Sequence, residues 1–287
     1  MDTKDILQKV RRVEIKTKRL SDHIFSGEYN TSFKGKGMSF SEVRQYQYGD
    51  DIRSIDWNVT ARHREPYVKI FEEERELTLM LLVDVSASQK FGTSQQFKND
   101  VVTEIAATLA FSAINNNDKV GLILFSDEIE LFIPPKKGKS HVLRIIRELI
   151  SFRPKSNKTN VNMALEYFLK VMKKKTLAFV ISDFVDVTFD QKLKIAAKKH
   201  DITGIQIYDA REKNMEDVGL VLMKDAETGT SLYVDTSDKQ LREEYNQHFA
   251  TQQQDFYNSF RKSGAGIISC EVKESYVKKL LAYFKSR

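Results

Sequence analysis

Leu77-Thr-Leu-Met-Leu-Leu-Val83 is an almost unbroken apolar run that leads straight into Asp84-Val-Ser86-Ala-Ser88. A run this short and this apolar predicts a strand buried on both faces, as in a parallel sheet. Further strands are predicted at 119–125, 128–133, 176–182, 202–208 and 267–272, with helical periodicity at 95–115, 139–151, 161–173, 190–200, 238–262 and 275–285. Strand and helix alternate, so the pattern predicts an α/β domain with a mostly parallel sheet and helices on both faces. Ser126-Asp127 leaves two residues between neighbouring strands, which predicts a hairpin and one antiparallel edge strand. A second hairpin is expected over Val218–Val234 around Glu227-Thr-Gly229. With the long helix after it, it makes an insertion at about 210–263.

The N-terminal part follows a different pattern. Ile6, Val10, Val13 and Leu20 fall near one face of a helix predicted at 3–20, with Lys9, Arg11, Arg12, Lys16, Lys18 and Arg19 around the rest. This suits a docked helix with a solvated basic face, or an anion-binding or membrane-surface helix. Residues 21–66 are polar and interrupted by Gly35, Gly37 and Gly49, yet Phe33, Phe40, Tyr46, Tyr48 and Trp57 recur. Disordered segments are poor in aromatics, so a long irregular wrapping segment is expected. Tyr67–Phe71 alternates and predicts a strand, and Glu72-Glu-Glu-Arg-Glu76 a solvated acidic turn. The expected division is therefore 1–76 and 77–287. Asp50, Asp51 and Asp56 interleave with Arg44, Arg53, Arg62 and Arg64, which points to a structural ion-pair cluster with Trp57 as its apolar anchor.

Composition narrows the possibilities. A chain of 287 residues buries enough surface to fold without staples, and its single cysteine, Cys270, reads as a buried thiol. No apolar stretch approaches the ~18 residues needed to cross a bilayer, and the N-terminus lacks a signal-peptide core, so a cytoplasmic protein is expected. The 46 basic and 40 acidic residues make a mixed surface that permits an anionic partner without requiring one. The five histidines show no zinc spacing. No glycine-rich phosphate loop appears, so ATP chemistry would belong to a partner.

Asp84-x-Ser86-x-Ser88 offers one carboxylate and two hydroxyls where a buried strand should end. The carboxyl ends of central strands are where open α/β sheets bind ligands, and hard oxygens suit Mg²⁺ or Mn²⁺. Thr159 lies on a later loop, and Asp183 follows the apolar run 176–182. A purely structural reading, in which these residues cap helices and end strands, competes with the metal reading.

The set Asp84, Ser86, Ser88, Thr159 and Asp183 resembles, in order and spacing, the metal-ion-dependent adhesion site of von Willebrand factor A domains. The strand order also resembles that fold over 77 to about 285. Gly37-Met-Ser-Phe-Ser-Glu-Val-Arg44 through Gly49-Asp50-Asp51-Ile-Arg53-Ser-Ile-Asp56-Trp57-Asn58 is similar to the signature of the bacterial domain-of-unknown-function family fifty-eight. The resemblance implies that Ser86 and Ser88 bind the ion directly, Thr159 directly or through water, and Asp84 and Asp183 mostly through water. A partner's Asp or Glu would complete the shell. It also implies work with MoxR-type AAA+ ATPases in a chaperone-like or assembly role.

Two other functions compete. A Mg²⁺-dependent phosphohydrolase would keep a second carboxylate two residues after its nucleophilic aspartate, but Ser86 stands there and is no useful proton donor. Nucleic-acid binding through the basic first helix would show steep salt dependence.

Overall fold

The computed structural model describes residues 3–24, 39–72, 77–90, 97–185, 190–225 and 229–287. The chain forms two compact units, one of Asn30–Leu77 and one of Met1–Tyr29 with Thr78–Arg287. The first helix, α1 (Thr3–Ile24), therefore groups with the sheet rather than with the segment that follows it, a division different from 1–76 and 77–287.

The smaller unit is more regular than its sequence suggests. β1 (Ser39–Gln45) pairs antiparallel with β2 (Tyr67–Glu72), and α2 (Trp57–His63) lies between them in sequence. A bulge between Phe40 and Glu42 breaks the alternation that would have revealed β1. Of the expected ion-pair cluster, Arg44 and Asp50 form a bidentate pair at 2.7 and 2.8 Å, while Asp56 pairs not with an arginine but with Lys69 at 3.6 Å. Asp51 and Asp56 act as caps: Asp51 accepts from Arg53 N, and Asp56 accepts from Asn58 N and Val59 N at the start of α2. Trp57 is 68% exposed, so it is not the expected buried apolar anchor. Residues 25–38, most of the acidic turn, the start of the helix expected from 95, and Glu227 lie outside the described residues.

The larger unit runs β3 (Thr78–Asp84), α3 (Lys98–Asn115), β4 (Lys119–Phe125), β5 (Ile129–Lys136), α4 (Lys139–Ser151), α5 (Val161–Val171), β6 (Leu177–Ser182), α6 (Asp190–Lys199) and β7 (Asp201–Tyr208). After these come α7 (Ala210–Lys213), β8 (Leu220–Lys224), β9 (Ser231–Asp235), α8 (Lys239–Ser263), β10 (Gly266–Glu271) and α9 (Tyr276–Lys285). The main sheet has the order β10-β7-β6-β3-β4-β5. Only β5 is antiparallel to its neighbour. This is the expected α/β arrangement, a mostly parallel sheet with one antiparallel edge.

Alternate residues of the central strand β3 serve opposite faces. Met80 and Leu82 pack with Val161, Leu165 and Phe168 of α5, Leu193 of α6, and Phe256 and Phe260 of α8. Leu79, Leu81 and Val83 face the other way, where α3 packs on the sheet. α3 is buried on nearly every side because α1 and α4 cover it in turn. Ion pairs of both signs contribute to that docking: Lys16 of α1 pairs with Glu104 at 2.6 Å, and Glu14 of α1 with Lys139 at 2.6 Å. The C-terminal half of the expected insertion is the crossover helix α8, whose Phe256 and Phe260 rings sit over Gly204 of β7. Cys270 is buried, as expected, and burial pushes its thiol up to about 11. Among the described residues no helix is long and apolar enough to cross a membrane.

Candidate metal centre

From β3 the chain proceeds outward to β4 and β5 on one side, then returns to place β6 and β7 on the other. The reversal leaves a switch point between β3 and β6, and ligands bind outside the carboxyl ends of strands at such points. Val83 pairs with Ile181, so Asp84 and Ser182 finish their strands side by side.

The loop after β3 turns back on its own aspartate. Asp84 Oδ1 accepts from Ser86 N at 2.9 Å, and the Ser86 and Ser88 hydroxyl oxygens lie 3.0 Å apart. Asp84 Oδ2 accepts from the Ser182 hydroxyl at 2.7 Å and from the Thr159 hydroxyl at 3.4 Å. Two backbone bonds draw in the loop that carries Thr159: Ala87 N donates to Asn157 O, and Asn160 N to Ser126 O. Asp84, Ser86, Ser88 and Thr159 are thus assembled at one point, though 75 residues separate Asp84 from Thr159.

Asp84 is 1% exposed. Burial, and then the charge of Asp183, raise its pKa to about 7 against the stabilising hydrogen bonds from Ser86 and Ser182. Two carboxylates this close and this dry call for a cation. One is already there: the fully buried Lys98, at the first position of α3, donates to Asp183 Oδ2 at 3.1 Å and to Glu212 Oε1 at 2.7 Å. Desolvation opposes the charge on Lys98, but Asp183 and Glu212 outweigh it and hold its pKa above the usual lysine value. Glu212 in turn accepts from Asp209 N through its other oxygen, at 2.7 Å, in the capping box that starts α7.

Phe184 fixes the residue before it. Its φ of 55° lies in the left-handed region, which is costly for a bulky side chain. Phe184 N donates to the Ser182 hydroxyl at 3.1 Å. The ring is clamped by Phe256 and Phe260, with centroids 4.6 and 5.2 Å away. This anchorage sets the direction in which Asp183 leaves β6.

The donor set fits a small hard cation. Adjacent ligands of an octahedral Mg²⁺ with bonds of about 2.0–2.1 Å lie about 2.9 Å apart, close to the Ser86–Ser88 spacing. Among the described residues no group of three or more His, Cys, Asp or Glu is placed to hold a metal, so a cation here depends on the hydroxyls. Sequence reasoning did not find Lys98, Ser182, Phe184 or Glu212 as parts of the site. Ser182 was within reach, since it precedes Asp183 at the end of the same run. The other three carry no local signal, because Lys98 meets its partners 85 and 114 positions away.

The chain is similar to several known proteins. It shares 27% identity over 290 residues with the uncharacterized protein Mb1516 of Mycobacterium bovis, covering all of this chain and 91% of that one. Among solved structures it is similar to the conserved hypothetical protein BatB from Bacteroides thetaiotaomicron. The identity is 15% and the TM-score 0.48, over 73% of this chain and 98% of that one. For the SpRpn10 VWA domain the identity is 11% and the TM-score 0.39, over 72% and 94% of the two chains. Residues 42–255 match the family described as "Protein of unknown function DUF58", and the chain belongs to that family.

Proposed function

We propose that this chain is a divalent-cation-dependent protein-interaction module, an adaptor or co-chaperone, with Mg²⁺ or Mn²⁺ as its ion. The observation that carries this reading is the pair of hydroxyls 3.0 Å apart, Ser86 and Ser88, beside the buried Asp84 at the switch point of the sheet. In this reading Ser86 and Ser88 hold the ion through their hydroxyls and Thr159 holds it directly or through water. Asp84 and Asp183 orient the bound waters. Ser182 keeps Asp84 in place, and Lys98 and Phe184 do the same for Asp183. The ion would supply an electron-poor centre with a replaceable water, because neutral hydroxyls offset little of its charge. A carboxylate from another protein is the natural replacement.

The family resemblance supports a MoxR-type AAA+ ATPase, or a client of one, as the partner. The reading is non-enzymatic, since Ser86 stands where a phosphohydrolase would need its proton donor. The test is co-precipitation of the purified chain with such an ATPase. Binding in Mg²⁺ that is lost in chelator and in Asp84→Ala, with that variant still folded, supports the reading. Equal binding in all three conditions rejects it, and Mg²⁺-dependent phosphatase turnover would reject its non-enzymatic part.

A further inference from the structure

Ser88 has a second neighbour besides Ser86. It forms one wall of a groove of about 510 Å³, whose other walls include Met215, Val218, Val221, Met223 and Tyr245. That volume falls within the range of about 300–1,000 Å³ typical of ligand pockets. Val221 and Met223 belong to β8, Met215 and Val218 to the segment before it and Tyr245 to α8; β8 pairs with β9 in a hairpin that lies outside the main sheet.

An isolated two-stranded hairpin is marginal on its own. This one is tied down at its root, where Val218 N donates to the Thr236 hydroxyl at 2.9 Å and that hydroxyl donates to Gly219 O at 2.6 Å. Arg242 of α8 also donates to Thr236 O and lies 3.4 Å from Asp217. The hairpin is held beside the centre, yet its apolar side chains cover little: Val218 is 62% exposed and Met223 39%. Apolar side chains grouped on the surface in this way mark an interaction site.

We propose that groove and metal centre form one bipartite docking site for an acidic–apolar segment of a partner protein. The segment places a carboxylate at the Ser86–Ser88 end and a large apolar side chain, a few residues away, against Val221 and Met223. This rests on the cation-dependent reading above. Charge selects the occupant. The shared Ser88 wall belongs to a centre that requires an anionic oxygen, and Lys224 lines the same groove, where Arg211 lies 3.6 Å from Glu216. Glu212, also on that wall, is already engaged by Lys98 and by Asp209 N. Because Ser88 belongs to both parts, one short extended segment, advancing about 3.3 Å per residue, reaches both.

The test pans a displayed library of random linear peptides on the full-length chain in excess Mg²⁺, then measures one enriched synthetic peptide by fluorescence anisotropy. The expected motif is Asp or Glu followed within a few positions by Leu, Ile, Met or Phe. Met223→Glu and Val218→Asp, both at exposed positions, should each weaken that peptide at least tenfold while Mg²⁺ binding is unchanged. Alanine at the peptide's apolar position should weaken wild type equally and add little to Met223→Glu. Acidic peptides with no apolar preference, bound equally by both variants, overturn the groove and leave the cation-dependent reading intact. Peptides insensitive to chelator and to Asp84→Ala overturn both. A concentration-dependent dimer in sedimentation, abolished by Met223→Glu, also overturns the proposal, because a second copy would then fill the groove.

Discussion

Lys98 Nζ lies 3.1 Å from Asp183 Oδ2 and is wholly shielded from solvent, so the candidate metal centre contains a cation of its own. A buried ammonium is tolerated only when paired, and here Asp183 and Glu212 share it. The consequence for an incoming ion is direct. Under the proposed cation-dependent reading, Lys98 would offset part of the negative charge that attracts a divalent cation and so would hold metal affinity down.

Lys98→Met should therefore have two opposite effects. Without metal the variant loses about 3–5 kcal/mol, the usual cost of orphaning one member of a buried pair. With Mg²⁺ it should gain more stability than wild type does, because Asp183 and Glu212 are left without a counter-charge. Thermal melting across a Mg²⁺ titration checks both. A metal response equal to that of wild type would show that Lys98 is only structural.

Phe184→Ala should separate packing from aim. Removing a buried phenylalanine costs about 3–5 kcal/mol, and Phe179→Ala, on the opposite face of β6 against Phe284, should cost a similar amount. Only Phe184→Ala also frees Asp183, so only that variant should weaken Mg²⁺ binding in calorimetry. Equal Mg²⁺ affinity in the two variants would contradict the role given to the strained backbone at Phe184.

Gly204 is required by the crossover helix above it. A Cβ there would overlap the Phe260 ring, which belongs to the core and has no room to move away. Gly204→Ala should cost about 1–3 kcal/mol in urea unfolding, the usual range for overpacking. A neutral result would mean that α8 sits more loosely on β7 than the structure has it.

Acid should destabilise the larger unit through its histidines. His141, whose Nε2 lies 2.9 Å from Val120 O, and His200, packed against Phe168, both have pKa values lowered chiefly by burial. The folded state therefore binds these protons less readily than the unfolded chain. Their contribution is fully present above the ordinary histidine value of about 6.5 and is lost as pH falls below it. Unfolding free energies measured through that window should fall for wild type, and fall less steeply for His200→Asn.

Legibility in the sequence depended on how local each signal was. The run ending at Asp84 and the alternation around Ser126-Asp127 betray the sheet and its antiparallel edge because burial acts on neighbouring residues. The order of Ser86, Ser88, Thr159 and Asp183 was readable only against a known pattern. β1 stayed hidden because its bulge disrupts the period-two signal, and Trp57 misled because an aromatic side chain need not be buried. Lys98 was invisible, since a lysine opening a helix is ordinary until Asp183 and Glu212 close over it.

Calorimetric titration of Mg²⁺ into the purified chain, beside Asp84→Ala and the double variant Ser86→Ala/Ser88→Ala, addresses the core of the account. One bound ion in wild type, with no heat of binding in either variant while both melt cooperatively, is the predicted result. Saturable binding that persists without the two hydroxyls, or no binding to wild type at all, would contradict it.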